Sequence, residues 1–197
     1  AATGRKAAAL LGSESDVRIT ASNGTDLRFR LAGGSRTPEV DDGVISDEDM
    51  EAGNRDVALP AGGVWVAPVE ESARGTFVSD LGLPQVGRLI EGLSWTFRDG
   101  HAVEIDAKRN LAGSQVGWET AAGARDMFAS LALGLNPRMK PGFLHNPVAA
   151  GAVTVGIGEN RALGGKNESS YGFISSLGSA TVEIGGRVVI DRGKWVV

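Results

Sequence analysis

Short runs of alternating apolar and polar positions recur along most of the chain, and a period of two marks half-buried strands. Residues 16–20 (Asp16-Val17-Arg18-Ile19-Thr20) and 27–31 (Leu27-Arg28-Phe29-Arg30-Leu31) alternate on either side of Asn23-Gly24, which predicts a hairpin with a two-residue turn. Residues 89–97 and 102–105 flank Asp99-Gly100, and residues 181–184 and 187–190 flank Gly185-Gly186, predicting two more hairpins. Further strands are expected at 64–68, 75–78, 152–155 and 194–197. Residues 4–11 make a short opening helix by propensity. Trp118, Ala121, Ala124, Phe128 and Leu131 recur near helical spacing and predict the main helix over 115–133, closed by Gly134. Residues 33–58 are polar and acidic and read as a long solvated loop, and 156–166 as a glycine-rich loop. Strands outnumber helices and most neighbours are hairpins. The expected fold class is α+β: a mostly antiparallel or mixed sheet, one main helix and a few short ones. No repeat or linker divides the chain, so residues 1–197 are expected to form one domain.

Composition narrows the function classes. Glycine contributes 29 of 197 residues, about twice ordinary usage, which suits many tight turns. The net charge is −4 and the basic residues are scattered, so no nucleic-acid surface is expected. The longest apolar stretch, 148–157, is too short and glycine-rich for a membrane span. With no cysteine there are no disulfides, thiolate metal sites or cysteine nucleophiles, and a reducing, cytoplasmic setting is expected. His101 and His145 are the sole histidines, too few for a three-histidine zinc site, and neither lies in a nucleophile context. The acidic run from Asp41 to Glu51 lacks calcium-loop spacing. Gly156-Ile157-Gly158 lacks the third glycine of a dinucleotide fingerprint. Glu70 and Glu71 point to opposite sides of a strand and are no acid–base pair. Four tryptophans are spread over separate elements and give no stacking platform.

Four segments, in order, resemble the C-terminal half of the thermophilic metallo-aminopeptidases of the aminopeptidase T and S type. Gly24-Thr25-Asp26-Leu27 resembles their G-T-D-L hairpin. Residues 59–76, from Leu59-Pro60-Ala61-Gly62-Gly63 through Ala67-Pro68-Val69-Glu70 to Gly75-Thr76, resemble L-P-A-G-E-V-F-T-A-P-V-E-D-S-x-x-G-T. Leu131-Ala132-Leu133-Gly134-Leu135-Asn136-Pro137 resembles the end of G-E-L-A-L-G-x-N-P. Residues 151–158, then Gly164-Gly165-Lys166-Asn167-Glu168-Ser169, resemble G-T-V-H-I-A-I-G, then G-G-x-N-x-S-x-x-H-x-D.

The resemblance implies a leucyl aminopeptidase-like hydrolase with two metal ions, usually a homodimer, whose N-terminal domain precedes the opening helix. It also implies where the ligands should stand. The expected glutamates fall on Gly63 and Ser130, the first histidine on Thr154, and the last histidine and aspartate on Gly172 and Ile174. The catalytic tyrosine falls near Arg161. Glycine and isoleucine offer a metal nothing, and hydroxyls are weak ligands for zinc or cobalt. The reading is therefore a non-catalytic relative with no cofactor. It would keep a residual cleft, around Glu70, His145 and Asn167, for a peptide or small molecule. Two alternatives stand beside it: a zinc- or cobalt-dependent aminopeptidase, and an assembly subunit completing a separate N-terminal half.

Overall fold

The computed structural model describes residues 2–53, 57–85, 87–142 and 145–197. The opening helix, α1 (Ala2–Leu11), is followed by strands β1 (Asp16–Thr20), β2 (Asp26–Arg30) and β3 (Glu39–Asp41) and by the short helix α2 (Asp47–Ala52). Next come β4 (Gly63–Val66), β5 (Val69–Val78), β6 (Leu83–Gln85), β7 (Arg88–Ile90), β8 (Ser94–Arg98) and β9 (His101–Asp106). Helix α3 (Ala112–Thr120) precedes β10 (Phe128–Gly134), β11 (Val153–Gly158) and β12 (Gly172–Leu177). The chain closes with β13 (Thr181–Ile184), β14 (Arg187–Asp191) and β15 (Lys194–Trp195).

Period-two patterning turns thirteen of these strands into two sheets with apolar inner faces, while β6 and β7 pair as a separate two-stranded ribbon. Eight strands form one, in the order β15-β14-β13-β1-β2-β5-β8-β9. Five form the other, in the order β12-β11-β10-β4-β3. Every described pairing within both is antiparallel. In the first hairpin, Val17 lies opposite Phe29 and Ile19 opposite Leu27, so four core side chains share a face. In the second sheet, Leu131 lies opposite Val66 and Val155, placing all three against the same core. Aromatic rings stitch the sheets together: Phe128 of β10 stands 4.9 Å from Phe29 and 5.3 Å from Phe97 between ring centres. Ala7 and Leu11 of α1 are buried in the same cluster. Among the described residues, no helix is long and apolar enough to cross a membrane.

The mostly antiparallel α+β fold stands, and two of the three expected turns form as read. Asp99 and Gly100 have φ of 49° and 83°, and Gly185 and Gly186 have 58° and 78°. Both pairs thus have the two positive φ values that a twisted hairpin turn needs. The third differs. The connection after β1 spans five residues, held by Asn23, whose Oδ1 accepts from the Thr25 amide (3.2 Å) and hydroxyl (2.9 Å).

The main-helix expectation over 115–133 is overturned. Helix α3 ends at Thr120, and residues 128–134 are a strand with all seven residues buried. A strand covered on both faces loses its alternation, and Phe128-Ala129-Ser130-Leu131-Ala132-Leu133 then mimics a helical run. Arg125 marks the true boundary, since its Nη1 caps α3 by donating to the carbonyls of Trp118 (2.7 Å) and Glu119 (3.1 Å). The loop expected over 33–58 is also corrected. It contains β3, paired with β4, and α2, whose Ser46 hydroxyl accepts from the Asp49 amide at 3.1 Å. The strand expected over 89–97 is split into β7 and β8 around Gly92, which has φ of 60°. The final strand is shorter than 194–197, ending at Trp195.

Candidate functional site

The five expected ligand positions stand together on one face of the five-stranded sheet. Leu131, Leu133, Val153, Val155, Ile157 and Phe173 point into the core. Alternation then sends Ser130, Thr154, Gly156, Gly172 and Ile174 to the opposite face. Ser130, Gly156 and Ile174 form one cross-strand row, and Trp65, Ala132, Thr154 and Ser176 form the next. Gly63 pairs with Gly134, and Gly172 with Gly158. A β-carbon on Gly156 would press on the Ser130 hydroxyl and lie 3.1 Å from Ile174 Cγ2, so the members of the first row are closely packed.

The residues on this face do not fit a two-metal centre. A side chain at Gly63 would start 3.1 Å from Trp65 Nε1, so the indole occupies the space where a longer group would reach. The Thr154 hydroxyl is 0% exposed and spent on Ser176 Oγ at 2.7 Å. Gly172 and Ile174 are exposed at the sheet edge, with no donor side chain. Arg161 is exposed and ion-paired with Glu159 at 2.9 Å. Among the described residues, no cluster of three or more His, Cys, Asp or Glu side chains could hold a metal ion.

The expected cleft residues separate. His145 is exposed, beside the short helical turn Asn146–Val148. Glu70 and Asn167 are buried in a polar network, 1% and 6% exposed. The Glu70 carboxylate accepts from Arg36 Nη2 at 2.7 Å, Asn160 Nδ2 at 3.0 Å and the Lys166 amide at 2.8 Å. Arg36 also donates to the Pro68 carbonyl. Asn160 Oδ1 accepts from the Asn167 amide at 2.9 Å, and Asn167 Nδ2 donates to the carbonyls of Phe128 and Gly158, each at 3.0 Å. Burial works to raise the Glu70 pKa, but Arg36, the Lys166 amide and Asn160 outweigh it and hold the carboxyl below its ordinary value. Glu70 is thus an ionised group with its partners already in place. Glu71, next along β5, is exposed, so the two carboxylates do point apart.

Arg36 and Asn160 escaped the sequence reading. They meet Glu70 across 34 and 90 residues, and no local pattern marks either contact. A related network pins the following loop. Glu159 accepts from the Ser169 amide, the Arg161 side chain and the Arg161 amide, which bring its pKa down to about 2.

A sequence model of the thermophilic metalloprotease (M29) family matches residues 2–137. The chain belongs to that family. AmpT from Thermus thermophilus has a similar structure, with a TM-score of 0.75 at 21% identity over 98% of this chain and 53% of AmpT. The 2,5-dihydroxypyridine dioxygenase of Pseudomonas putida KT2440 has a TM-score of 0.74 at 16% identity, over 98% of this chain and 58% of the dioxygenase. This chain therefore spans little more than half the length of either structure. A comparison with curated protein sequences finds no match.

Proposed function

We propose that this chain is a non-catalytic member of the metalloprotease family that binds a peptide or small ligand and cleaves nothing. One observation carries the reading. Five positions that the family resemblance assigns to metal ligands share one sheet face, yet they hold Gly, Ser, Thr, Gly and Ile. The shared face supports the alignment, and the side chains there remove the chemistry. Two-metal hydrolysis needs charged or imidazole donors to hold ions that activate water. The fold itself does not dictate hydrolysis, since one structural neighbour is a dioxygenase.

The centre of the face is closed, because Thr154 and Ser130 are buried. The ligand is therefore placed at its rim, where Gly172 and Ile174 are exposed on the edge strand β12. An extended peptide can add to such an edge through backbone hydrogen bonds. The cytoplasmic setting and a homodimeric state belong to this proposal too.

Elemental analysis after incubation with excess zinc and cobalt, then desalting, is the direct test. Less than about a tenth of a metal per chain is expected, because a structural or catalytic ion would otherwise be held tightly. Peptides incubated with the protein should release no amino acids. Two retained metals per chain with chelator-sensitive release would restore the aminopeptidase reading.

A further inference from the structure

Behind the same sheet, on its core side, lies a cavity of about 320 Å³ between α3 and the two sheets. Trp118 and Tyr171 stand 5.8 Å apart in an edge-to-face contact, and Tyr171 stacks on Phe173 at 5.9 Å. Phe173 then meets Trp95 at 6.0 Å, so four rings run in series along the wall. The lining of α3 is unusual for a core-facing helix. Trp118 of α3 and Leu111, the residue just before it, are joined there by Gln115 and Glu119, where an amphipathic helix would put apolar groups. Neither the Gln115 amide nor the Glu119 carboxylate has a hydrogen-bond or ion-pair partner among the described residues. The two ends differ in exposure. Trp95 is 0% exposed and its Nε1–H has no hydrogen-bond partner, whereas Gln115 and Glu119 are exposed at the mouth. A buried indole N–H without an acceptor is costly unless something supplies one.

The charge around the cavity is specific. Glu119 is the one acidic side chain, and no Lys, Arg or His stands, among its described lining residues. Burial pushes the Tyr171 hydroxyl up to about 12, so it stays a neutral donor. Arg125 stands over the Trp118 ring at 5.2 Å but does not line the cavity, and its guanidinium caps the carbonyls at the end of α3.

We propose that this cavity binds a small organic ammonium ion with a ring-bearing body and a hydrogen-bond acceptor at the far end. The ring lies among Trp95, Trp118, Tyr171 and Phe173. The ammonium group meets Glu119 and the aromatic faces at the mouth, where aromatic rings favour cations. The acceptor reaches the Trp95 Nε1–H, which is closed to a water-sized atom in this structure, when the side chains around that end give way. The volume lies at the small end of the range for ligand sites. The proposal is independent of the metal question, since this cavity is on the other side of the sheet from Thr154 and Ile174.

Tyramine carries all three features and is the probe. Calorimetric titration of the full chain should show one tyramine per chain with a Kd of about 0.1 mM or tighter. Phenethylamine, lacking the acceptor, and the corresponding hydroxyphenyl-propionate, lacking the cation, should each bind about tenfold more weakly. Glu119→Gln should weaken tyramine about tenfold, with the melting temperature unchanged because the side chain is exposed. Val103→Phe, at a half-exposed lining position, should fill the mouth and abolish binding. No heat with tyramine at about 5 mM would overturn the proposal, because a ligand-built site should saturate well below that. Equal binding of amine and acid, or an unchanged Kd for Glu119→Gln, would also overturn it, the former pointing to Arg125 as the recognising charge.

Discussion

Two polar groups buried in this protein live in opposite circumstances. The Glu70 carboxylate accepts from Arg36, Asn160 and the Lys166 amide, and Arg36 and Asn160 have further partners of their own. The Trp95 indole N–H is as deeply buried and has none. A carboxylate in a metal family invites a catalytic reading, and a tryptophan in a core invites a structural one. The hydrogen bonds reverse both. A satisfied buried group holds the fold together, and an unsatisfied one beside a cavity still has a hydrogen bond to offer a ligand.

Removing Arg36 has the largest expected effect. If Glu70 is structural, Arg36→Ala leaves a buried charge without its counter-ion, and such losses cost about 3–5 kcal/mol. In a chain of this size that is a fall in Tm of roughly 10 °C. Glu70→Gln also strands a buried charge, that of Arg36, but should cost less, because the amide oxygen still accepts from the Lys166 amide. Thermal unfolding of both variants checks the order. A neutral Arg36→Ala would mean that Glu70 reaches water, and its role as a cleft residue would return.

Acid titration gives the next effect. Glu159 drops from an ordinary value of 4.5 to about 2 in the folded chain, so the folded state favours its ionised form. That stabilisation is present in full above 4.5 and is lost as the pH falls through about 2. Glu70 and Asp26 shift in the same direction, Asp26 chiefly through its hydrogen bond with Arg18. Tm should therefore decline as the solution is acidified below pH 4.5, and Glu159→Gln should flatten the decline. An identical pH profile for the variant would remove Glu159 from the account.

These two networks show what a linear reading can reach. Hairpins with Asp99-Gly100 and Gly185-Gly186 were legible because turn chemistry is local. The shared sheet face was legible only through resemblance, and the register of β10, β11 and β12 then gave it physical form. Strand β10 was misread because burial on both faces erased its alternation. The Arg36–Glu70–Asn160 network is invisible in the sequence because its members, one on strand β5 and two in loops, lie tens of residues apart. The tryptophans were read as scattered, yet the fold aligns Trp95 and Trp118 with Tyr171 and Phe173 along one wall. Composition records how many rings there are, and only tertiary contact decides which ones meet.

The smallest effect sharpens the contrast from the other side. Ser175 is 1% exposed and its hydroxyl, like the Trp95 N–H, has no partner. It differs in one respect, which is that it does not line the aromatic cavity. If an unpartnered group signals a ligand only where there is room for one, Ser175 is a plain energetic cost. Removing an unsatisfied buried hydroxyl recovers its desolvation penalty, so Ser175→Ala should stabilise the fold by about 1 kcal/mol and leave tyramine binding unchanged. Paired melting and titration measurements on this variant separate the two cases. A destabilised Ser175→Ala would mean that the hydroxyl has a bound water as partner. The same explanation would then be available for Trp95, and its N–H would no longer distinguish the cavity from the rest of the core.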